Sequence, residues 1–386
     1  MTLLEYRFAA VVLRVLAWLF DLLPLAPRRV VLATARVSRL EGNLAAIDAA
    51  LRRRHPDVEV VHLLEPYDYG LRGKLAYLAR VVRGMYHLRR ARLFVVDNAY
   101  LPVHVAPHRR RTTVVQVWHA TGALKRFGAD AARPLAEPER RFLHRHYDYV
   151  VASGEPAREP YSRALRTPLE RVLALGAPRT DFLVDPAALA AARERVLAAH
   201  PALAGRKVVL YAPTFRGRGR GKRAAGTLDA VRLRALLPPE HALVLKTHPN
   251  LDPSLTATTG FDVVLDPAAE IDHAFAASDV LVTDYSSSVF EWALLRRPLV
   301  LLVPDLAEYE ADPGLYLDYR TELVGTLATD TDGVAAAILE GRFDLSAYDA
   351  FVTRHLGSSL GGASERFVER FVEPIVAAER QLGRPV

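Results

Sequence analysis

Short apolar runs alternate with helical segments along nearly the whole chain, and this alternation restricts the possible folds more than any other feature of the sequence. Runs such as Val30–Thr34 and Val280–Thr283 are almost continuously apolar rather than alternately apolar and polar. Strands have this character when helices cover both faces of a parallel sheet, because every side chain is then buried. The pattern therefore predicts an α/β fold built from βαβ units.

The strand candidates form two series, which the segment Pro178–Pro201 separates. The first series is Val30–Thr34, Val58–Leu64, Arg92–Val96, Thr113–Trp118, Tyr149–Ala152 and Val172–Leu175. The second series is Val208–Ala212, Ala242–Lys246, Val263–Leu265, Val280–Thr283 and Leu299–Val303. A chain of 386 residues suits two cores of about 100–200 residues each. We predict two doubly wound, Rossmann-like domains, 26–180 and 181–350, with a ligand cleft between them, and a C-terminal segment, 351–386, whose helix crosses back onto the first domain.

Residues 1–25 are predicted to form an amphipathic helix. Arg7, Arg14 and Asp21 are seven residues apart and share one face, and the longest uninterrupted apolar run between them is six residues. A membrane-spanning helix needs about 20 apolar residues, and a secretory leader needs a clean apolar core and a cleavage site. Two alternatives stay open, a helix lying in a membrane interface and a helix packed on the protein's own core. The neighbouring arginines, Arg28, Arg29, Arg36, Arg39 and Arg52–Arg54, favour the interface.

Charge is distributed unevenly between the two halves of the chain. The whole chain carries +7, but residues 1–150 carry +12 and the remainder carries −5. The first half is therefore expected to face an anionic partner, and no nucleic-acid-binding motif is present, so a phospholipid surface or a phosphorylated substrate is favoured. The absence of cysteine excludes disulfides, thiolate zinc sites and thiol nucleophiles, which fits a reducing cytoplasmic compartment. No metal-ligand spacing is apparent, and no cofactor is expected.

Five polar motifs follow predicted strands. They are WHATGALKRFG from Trp118, GAPRTD from Gly176, YAPTFR from Tyr211, LKTHP from Leu245 and TDYSSSVFEWA from Thr283. A histidine at a strand end, His119, suits a general base, although an isolated histidine in such a place is more often structural. Arg179 offers a planar fork for phosphate oxygens, and the serines before Val289 can cap a helix or, with its N-terminus, bind an anion.

The glycine- and arginine-rich loop Arg216–Gly226 resembles a P-loop only superficially. The Walker pattern requires glycine at position 216 and a hydroxyl at position 223, and arginine occupies both. The loop is either a solvated segment or a contact for an anionic substrate.

Taken together, the five motifs identify a resemblance to the CDP-glycerol glycerophosphotransferases of teichoic acid synthesis, which are cell-wall enzymes of bacteria. The resemblance extends from about Asp97 to Pro304 and looks closer to the primase-like branch. It implies a GT-B fold and transfer of glycerol phosphate, or a related polyol phosphate, from a CDP-activated donor to a hydroxyl of a lipid-linked acceptor, with release of CMP. It also implies CDP-glycerol or CDP-ribitol as donor, a polyprenyl-linked saccharide as acceptor, and a peripheral, monotopic location at the cytoplasmic face of the membrane.

The resemblance also implies roles for individual residues. His119 is expected to deprotonate the acceptor hydroxyl, and Arg179, Lys246 and His248 are expected to neutralise the pyrophosphate as CMP leaves. Contacts to the CDP portion are expected from Pro213, Thr214, Ser286 and Ser287, with Glu291 as an acid near the nucleotide. The remaining predicted substrate-binding residues are Trp118, Thr121, Lys125 and Thr247. His119 and His248 are the predicted catalytic pair.

Two departures from the family pattern concern the same motifs. The segment Trp118–Lys125 is one residue longer than the polymerase-like form, and Lys246 and Glu291 replace the commoner arginine and aspartate. A GT-B sugar-nucleotide glycosyltransferase or a nonhydrolysing epimerase is the enzymatic alternative, since a fold does not fix a chemistry. A non-enzymatic binder of anionic lipid or nucleic acid is the alternative from another class.

Overall fold

A computed structural model describes residues 3–64, 71–131, 136–216, 223–224, 228–247, 257–341 and 343–381. The chain divides into two compact units. The first comprises Met1–Gly122, Arg126–Asp181 and Leu360–Val386, and the second comprises Ala123–Lys125 and Phe182–Ser359.

The helices and strands follow one another in alternation. In chain order they are α1 (Leu3–Asp21), β1 (Arg29–Thr34), α2 (Gly42–Arg54), β2 (Glu59–Leu64), α3 (Leu71–Arg90), β3 (Leu93–Val96), α4 (Leu101–Val105), β4 (Thr113–Gln116), α5 (Glu137–Phe142), β5 (Tyr149–Val151), α6 (Glu155–Ala164), β6 (Val172–Leu173), α7 (Pro186–Ala199), β7 (Lys207–Tyr211), β8 (Phe215–Arg216), β9 (Arg223–Ala224), α8 (Ala230–Leu236), β10 (His241–Lys246), β11 (Val263–Leu265), α9 (Ile271–Ala277), β12 (Val280–Thr283), α10 (Ser288–Ala293), β13 (Leu299–Leu302), α11 (Leu306–Ala311), β14 (Thr326–Ala328), α12 (Thr331–Glu340), α13 (Leu345–Leu356), α14 (Ala363–Phe371) and α15 (Glu373–Gln381).

The first unit contains a six-stranded sheet in the order β2-β1-β3-β4-β5-β6, and every neighbouring pair is parallel. From β1 the chain goes to one side to form β2 and then to the other side to form β3. Adjacent strands whose connections leave in opposite directions create a crevice at their carboxyl ends, where doubly wound proteins bind ligands. In this unit the crevice lies beyond Thr34 of β1 and Val96 of β3.

The second unit repeats this arrangement with the order β11-β10-β7-β12-β13-β14, again parallel throughout. Its switch point lies between β7 and β12. Apolar side chains are buried on both faces of the sheet, around Phe290 and Trp292 on one face and Val282 and Ile338 on the other. Strands that are buried on both faces account for the continuous apolar runs in the sequence. The predicted α/β fold with two parallel sheets is confirmed.

Several element boundaries differ from the sequence-based expectation. The single helix predicted in the C-terminal segment 351–386 is two helices, α14 and α15, and strand β14 was not predicted. Residues 351–359 were assigned to the segment returning to the first domain, but Phe351 and Val352 pack in the core of the second unit. The return begins at Leu360, after which Phe367 and Val376 join the core of the first unit.

Helix α1 has two apolar faces. Ala10, Leu13 and Ala17 are buried, and Tyr6 and Phe20 extend the contact by packing on Phe142 of α5 and Tyr86 of α3. The opposite face is solvent-exposed and carries the larger side chains, Leu4, Phe8, Val11, Val15, Trp18 and Leu22, which are 54–77% exposed. The two alternatives for this segment therefore apply to different faces, because one apolar face packs on the protein and the other is uncovered.

Polar residues of α1 lie at the border between these faces. Asp21 accepts hydrogen bonds from Nε of Arg89 and from Nε of Arg109, each at 2.8 Å. Arg14 donates from Nε to the carbonyl of Val105 at 2.9 Å. Arg14 and Asp21, which are seven residues apart, thus bind α1 to the rest of the first unit.

All seven arginines that favoured an anionic surface are ion-paired within the first unit. Arg53 and Arg54 of α2 pair with Glu365 of α14, and Arg54 pairs also with Glu369 and Glu373. Glu41 pairs with Arg36 and Arg39, while Arg28, Arg29 and Arg52 pair with Asp57, Glu59 and Asp48. These residues stabilise contacts between elements, so they are weaker evidence for a lipid surface than their number suggested.

Candidate functional site

The switch point of the first unit brings polar residues from three strands together. Thr34 ends β1, Asp97 follows β3, and Gln116 ends β4 just before Trp118 and His119. Because the strands are parallel and β1, β3 and β4 are neighbours, these residues lie along one edge of the sheet. This is where a doubly wound unit is expected to hold a ligand.

Trp118 turns the chain sharply at the end of β4. Its φ of 50° lies in the left-handed region, which a bulky residue adopts only when its surroundings impose it. The backbone N–H of Trp118 donates to Oε1 of Gln116 at 2.9 Å, and the indole stacks on Phe127 with ring centroids 4.5 Å apart. This turn directs the chain into His119.

The orientation of His119 fixes its tautomer. Nδ1 of the imidazole lies 3.1 Å from the carbonyl oxygen of Asp97. A carbonyl only accepts hydrogen bonds, so Nδ1 carries the proton in the neutral ring and Nε2 carries the lone pair. A half-buried imidazole held in this tautomer can accept a proton at Nε2, as a general base requires.

The carboxyl group of Asp97 is buried beside this histidine. It is 3% exposed, and Oδ1 has no hydrogen-bond partner among the described residues. Burial raises the pKa of Asp97 to about 6, against lowering contributions from a hydrogen bond with Thr34 and the charge of Arg36. The residue whose backbone carbonyl holds His119 therefore also carries a carboxyl group that changes protonation near pH 6.

A buried hydrogen-bond network holds Gln116, the residue that binds the backbone N–H of Trp118. Gln116 donates from Nε2 to the hydroxyl of Tyr147 at 3.0 Å, and that hydroxyl also contacts Nε2 of His104 and Nδ1 of His144. Burial lowers the pKa of His104 well below its ordinary value and that of His144 to about 3. These two histidines are neutral groups with a structural role.

Arg179 lies next to His119 in the first unit. Its Nη1 donates to the carbonyl of His119 at 3.4 Å, and it begins a 3-10 turn, Pro178–Val184, after β6. The structure thus brings together two residues that are 60 positions apart in the sequence and that were predicted separately.

Thr121 and Lys125 belong to the same sequence motif but have different surroundings. Thr121 is fully buried in the first unit. Lys125 belongs to the second unit, where its Nζ lies 5.2 Å from the ring centroid of Tyr309 and its backbone bridges to Leu315. The motif is therefore divided between the two units.

Thr214 and Asp284 meet at the switch point of the second unit. The backbone N–H and the hydroxyl of Thr214 donate to the two carboxylate oxygens of Asp284, at 2.8 and 2.9 Å. Asp284 is buried, and its own carbonyl accepts from the hydroxyl of Tyr319 at 2.7 Å. The loop containing Pro213 and Thr214 is thereby fixed at the carboxyl end of β7.

Lys246 and Thr247 end the neighbouring strand β10 and are both buried. The ammonium of Lys246 donates to the carbonyls of Thr247 and Pro267 at 3.0 and 2.9 Å. A buried cation satisfied in this way contributes positive charge to the strand end without being exposed. The predicted catalytic residue His248 lies outside the described residues.

The serines after β12 form a tight turn that leads into the short helix α10, whose N-cap residue, Ser287, makes no side-chain capping hydrogen bond. Oγ of Ser286 accepts from the backbone N–H of Ser288 at 3.2 Å and lies 2.7 Å from its hydroxyl. Ser286 and Ser287 are half-buried, whereas Glu291 is buried, 3% exposed. Ser286 thus stabilises the turn before α10 rather than capping the helix, and Glu291 lies inside the unit rather than at its surface.

The described residues carry neither a candidate metal centre nor a membrane-spanning helix. They contain no group of three or more histidine, aspartate or glutamate side chains that could hold a metal ion. No helix among the described residues is both long enough and apolar enough to cross a bilayer.

Four residues of these sites were not singled out from the sequence. Asn43, Asp97 and Gln116 lie around His119, and Asp284 lies beside Thr214. Asp284 is within the TDYSSS motif and directly follows a predicted strand, so its position could have identified it. Asn43 precedes no motif, and only the packing of α2 against the strand ends reveals it.

Comparison with known proteins gives consistent matches. Residues 16–373 match the family described as CDP-glycerol:poly(glycerophosphate) glycerophosphotransferase. The chain is 31% identical over 357 residues to a teichoic acid ribitol-phosphate primase of Bacillus spizizenii, covering 90% of this chain and 92% of that one. Among solved structures, the wall teichoic acid polymerase TagF matches with a TM-score of 0.75 at 21% identity, covering 97% of each chain. A UDP-GlcNAc 2-epimerase from Neisseria meningitidis matches with a TM-score of 0.53 at 13% identity, covering 89% and 99%.

Proposed function

On the premise that the chain belongs to the CDP-glycerol:poly(glycerophosphate) glycerophosphotransferase family, which the match over residues 16–373 shows, we propose that it adds a polyol phosphate to a lipid-linked saccharide. The predicted family and the GT-B fold are confirmed. An enzyme of this family transfers polyol phosphate from a CDP-polyol, and the glycosyltransferase, epimerase and simple-binder alternatives are not favoured. What we propose beyond the reaction of the family is the identity of the polyol, the identity of the acceptor, and binding to a membrane surface.

The observation that carries the proposal is the contact between Nδ1 of His119 and the carbonyl oxygen of Asp97. With Nδ1 donating to the carbonyl of Asp97, Nε2 takes the proton of the acceptor hydroxyl as its oxygen attacks the distal phosphorus of the donor. Phosphoryl transfer depends mainly on positioning and on neutralising charge. The guanidinium of Arg179, which contacts the carbonyl of His119, supplies positive charge close to the base.

The second unit is proposed to hold the CDP portion. Thr214 is fixed by Asp284, and Ser286 and Ser287 are half-buried at the neighbouring strand end. Lys246 adds positive charge at β10. The acceptor oxygen forms a bond to the distal phosphorus as the bond from that phosphorus to the bridging oxygen breaks. The bridging oxygen leaves as part of CMP, and His119 keeps the proton of the acceptor hydroxyl.

The donor is proposed to be CDP-glycerol or CDP-ribitol, because the family description names the first and the primase relative is named for ribitol phosphate. The test incubates the full chain and a polyprenyl-linked saccharide with CDP-glycerol, CDP-ribitol or UDP-GlcNAc, and measures the released nucleotide. Release of CMP with one or both CDP-polyols, together with elongation of the acceptor, is expected. Release of UDP without CMP would contradict the proposal.

The exposed face of α1 is proposed to lie in the interface of an anionic membrane. Six large apolar side chains, from Leu4 to Leu22, are exposed on one side of the helix, and Arg7 and Arg14 flank them. Exposed arginines at Arg110 and Arg111 lie close in sequence to Arg109, which binds Asp21 at the end of the helix. Apolar burial combined with attraction to anionic headgroups is how interfacial helices bind.

Vesicle flotation tests the membrane proposal. Phe8→Gln combined with Trp18→Gln should reduce binding to phosphatidylglycerol vesicles strongly, because both side chains are more than 60% exposed and provide the apolar contact. The matched control is Val231→Gln with Leu339→Gln, two exposed apolar residues of the second unit. Equal loss of binding in both variants, or no loss in the first, would contradict the proposal.

A further inference from the structure

Asn43, the second residue of α2, joins the two motifs that carry the predicted base and arginine. It is buried, 4% exposed. Its Nδ2 donates to the carbonyls of Val117 and Trp118 at 3.2 and 3.0 Å, and its Oδ1 accepts from the backbone N–H of Arg179 at 3.0 Å. Carbonyls on one side and an N–H on the other leave only one orientation for the amide.

The bond to Trp118 acts on a strained residue. A side chain as large as tryptophan at a φ of 50° costs on the order of 1–3 kcal/mol and persists only where neighbouring groups impose it. Gln116 holds the backbone N–H of Trp118, and Asn43 holds its carbonyl. The backbone of Trp118, which leads into His119, is therefore held at its N–H and at its carbonyl.

The bond to Arg179 acts on the start of the turn after β6. The preceding residue, Gly42, has a φ of +58°, and a Cβ there would lie 3.7 Å from Nη1 of Arg179. That distance is ordinary van der Waals contact, so the start of α2 lies against the guanidinium while Asn43 holds the backbone that carries it. The same guanidinium reaches the carbonyl of His119 at 3.4 Å.

We infer that Asn43 is a positioning residue that fixes the imidazole of His119 relative to the guanidinium of Arg179. It touches neither substrate nor reacting atom, and it acts through the backbone of both motifs. No other side chain reproduces its pattern. Aspartate lacks the two donors, serine is too short, and glutamine is one methylene longer. The catalytic part of this inference rests on the proposed function, whereas the geometric part does not.

The experiment compares Asn43→Ala with Thr112→Val in the full chain. Thr112 is also buried, and its hydroxyl donates to the carbonyl of Ala91 at 2.8 Å, but it precedes β4 at the opposite edge of the sheet from His119. Two properties are measured well below the unfolding temperature of each variant. One is the tautomer of His119 from ¹⁵N chemical shifts, assigned by the signal lost in His119→Gln, and the other is kcat and KM for CMP release.

In Asn43→Ala the His119 signal is expected to change from the Nδ1–H form to a mixture of tautomers, and kcat to fall about 10- to 100-fold with a smaller change in KM. Thr112→Val should leave both unchanged. The inference is overturned if Asn43→Ala keeps the wild-type tautomer, or if Thr112→Val loses kcat equally. Should the wild-type chain release no CMP, the proposed function fails. The tautomer comparison still shows whether Asn43 positions His119.

Discussion

Single residues at the two switch points have contrasting environments. In the second unit, both carboxylate oxygens of Asp284 accept hydrogen bonds from Thr214. In the first unit, Oδ1 of Asp97 has no partner among the described residues, and burial raises its pKa to about 6. One carboxylate is therefore a fixed acceptor, and the other carries an electrostatic cost when it ionises.

Asp97→Asn should reduce the pH dependence of stability. Because the pKa of Asp97 in the folded state, about 6, lies above the ordinary 3.8, the folded state binds the proton more tightly than the unfolded state. The free energy of unfolding should then fall as pH rises from about 4 to about 6, by up to about 3 kcal/mol. Thermal unfolding between pH 4 and pH 8 should show a flatter curve for Asp97→Asn than for wild type.

The control for this prediction is Asp57→Asn, which changes a carboxylate paired with Arg28 near the surface. It should retain the wild-type pH dependence in this range. A wild-type slope in Asp97→Asn would show that Asp97 is already ionised at low pH in the folded state, contrary to the prediction.

Residues that follow strands could be predicted from the sequence, whereas residues that support them could not. His119, Arg179 and Thr214 follow buried apolar runs, and parallel strands deliver such residues to one edge. Asn43 and Tyr147 act through long-range contacts to backbone or hydroxyl groups, and no spacing in the sequence indicates those partners. The predicted roles of the site residues stay predictions.

At the scale of elements, α1 shows why hydrophobic patterning alone left two alternatives. A helix with apolar residues on opposite faces can pack on a core with one and remain uncovered on the other. The small side chains, Ala10 and Ala17, are buried with Leu13, and the large ones, Phe8 and Trp18 among them, are exposed. Ala10 and Ala17 allow close approach of α1 to α3 and α4. Large apolar side chains lie on both faces, so hydropathy alone does not identify the face that packs.

Leu13→Ala should destabilise the first unit by about 2–5 kcal/mol, because it leaves a cavity where a fully buried side chain packs. Val11→Ala, on the exposed face, should change the free energy of unfolding by less than about 0.5 kcal/mol. Denaturant unfolding in the absence of lipid measures both. Equal losses in the two variants would mean that the exposed face is covered in solution.

Helix α14 depends on a residue from a distant motif for its N-terminal cap. Both carboxylate oxygens of Asp181 accept hydrogen bonds there, from the backbone N–H groups of Ala363 and Ser364 at 2.8 and 2.9 Å and from the hydroxyl of Ser364 at 2.6 Å. The last residue of the GAPRTD motif is therefore structural. It fixes the returning C-terminal helices to the first unit.

Asp181→Ala should lower the free energy of unfolding by about 1–2 kcal/mol, as loss of an N-cap does. Asp181→Asn should lose less, because its amide oxygen still accepts one of the N–H groups. Urea unfolding of the two variants provides the measurement. A loss in Asp181→Asn as large as in Asp181→Ala would indicate that the charge, and not the hydrogen bonds, holds α14.

At the scale of the whole molecule, two sheets of related topology each have a switch point, and candidate residues lie at both. The alternation of apolar runs predicted both parallel sheets, because buried strands need continuous apolar sequence. It did not predict strand β14, Thr326–Ala328, an edge strand whose residues do not form a continuous apolar run. Nor did it predict that Ala123–Lys125 belong to the second unit, because a short excursion of the chain leaves no periodic signal.

The stoichiometry and histidine dependence of CMP release test the central claim most directly. The full chain is incubated with a CDP-polyol and a polyprenyl-linked saccharide, and CMP and the mass of the acceptor are measured for wild type, His119→Gln and the surface control His273→Gln. One CMP should appear for each polyol phosphate added, with a rate about 10²- to 10⁴-fold lower in His119→Gln and unchanged in His273→Gln. Acceptor elongation at the wild-type rate in His119→Gln, or no CMP with either CDP-polyol, would contradict it.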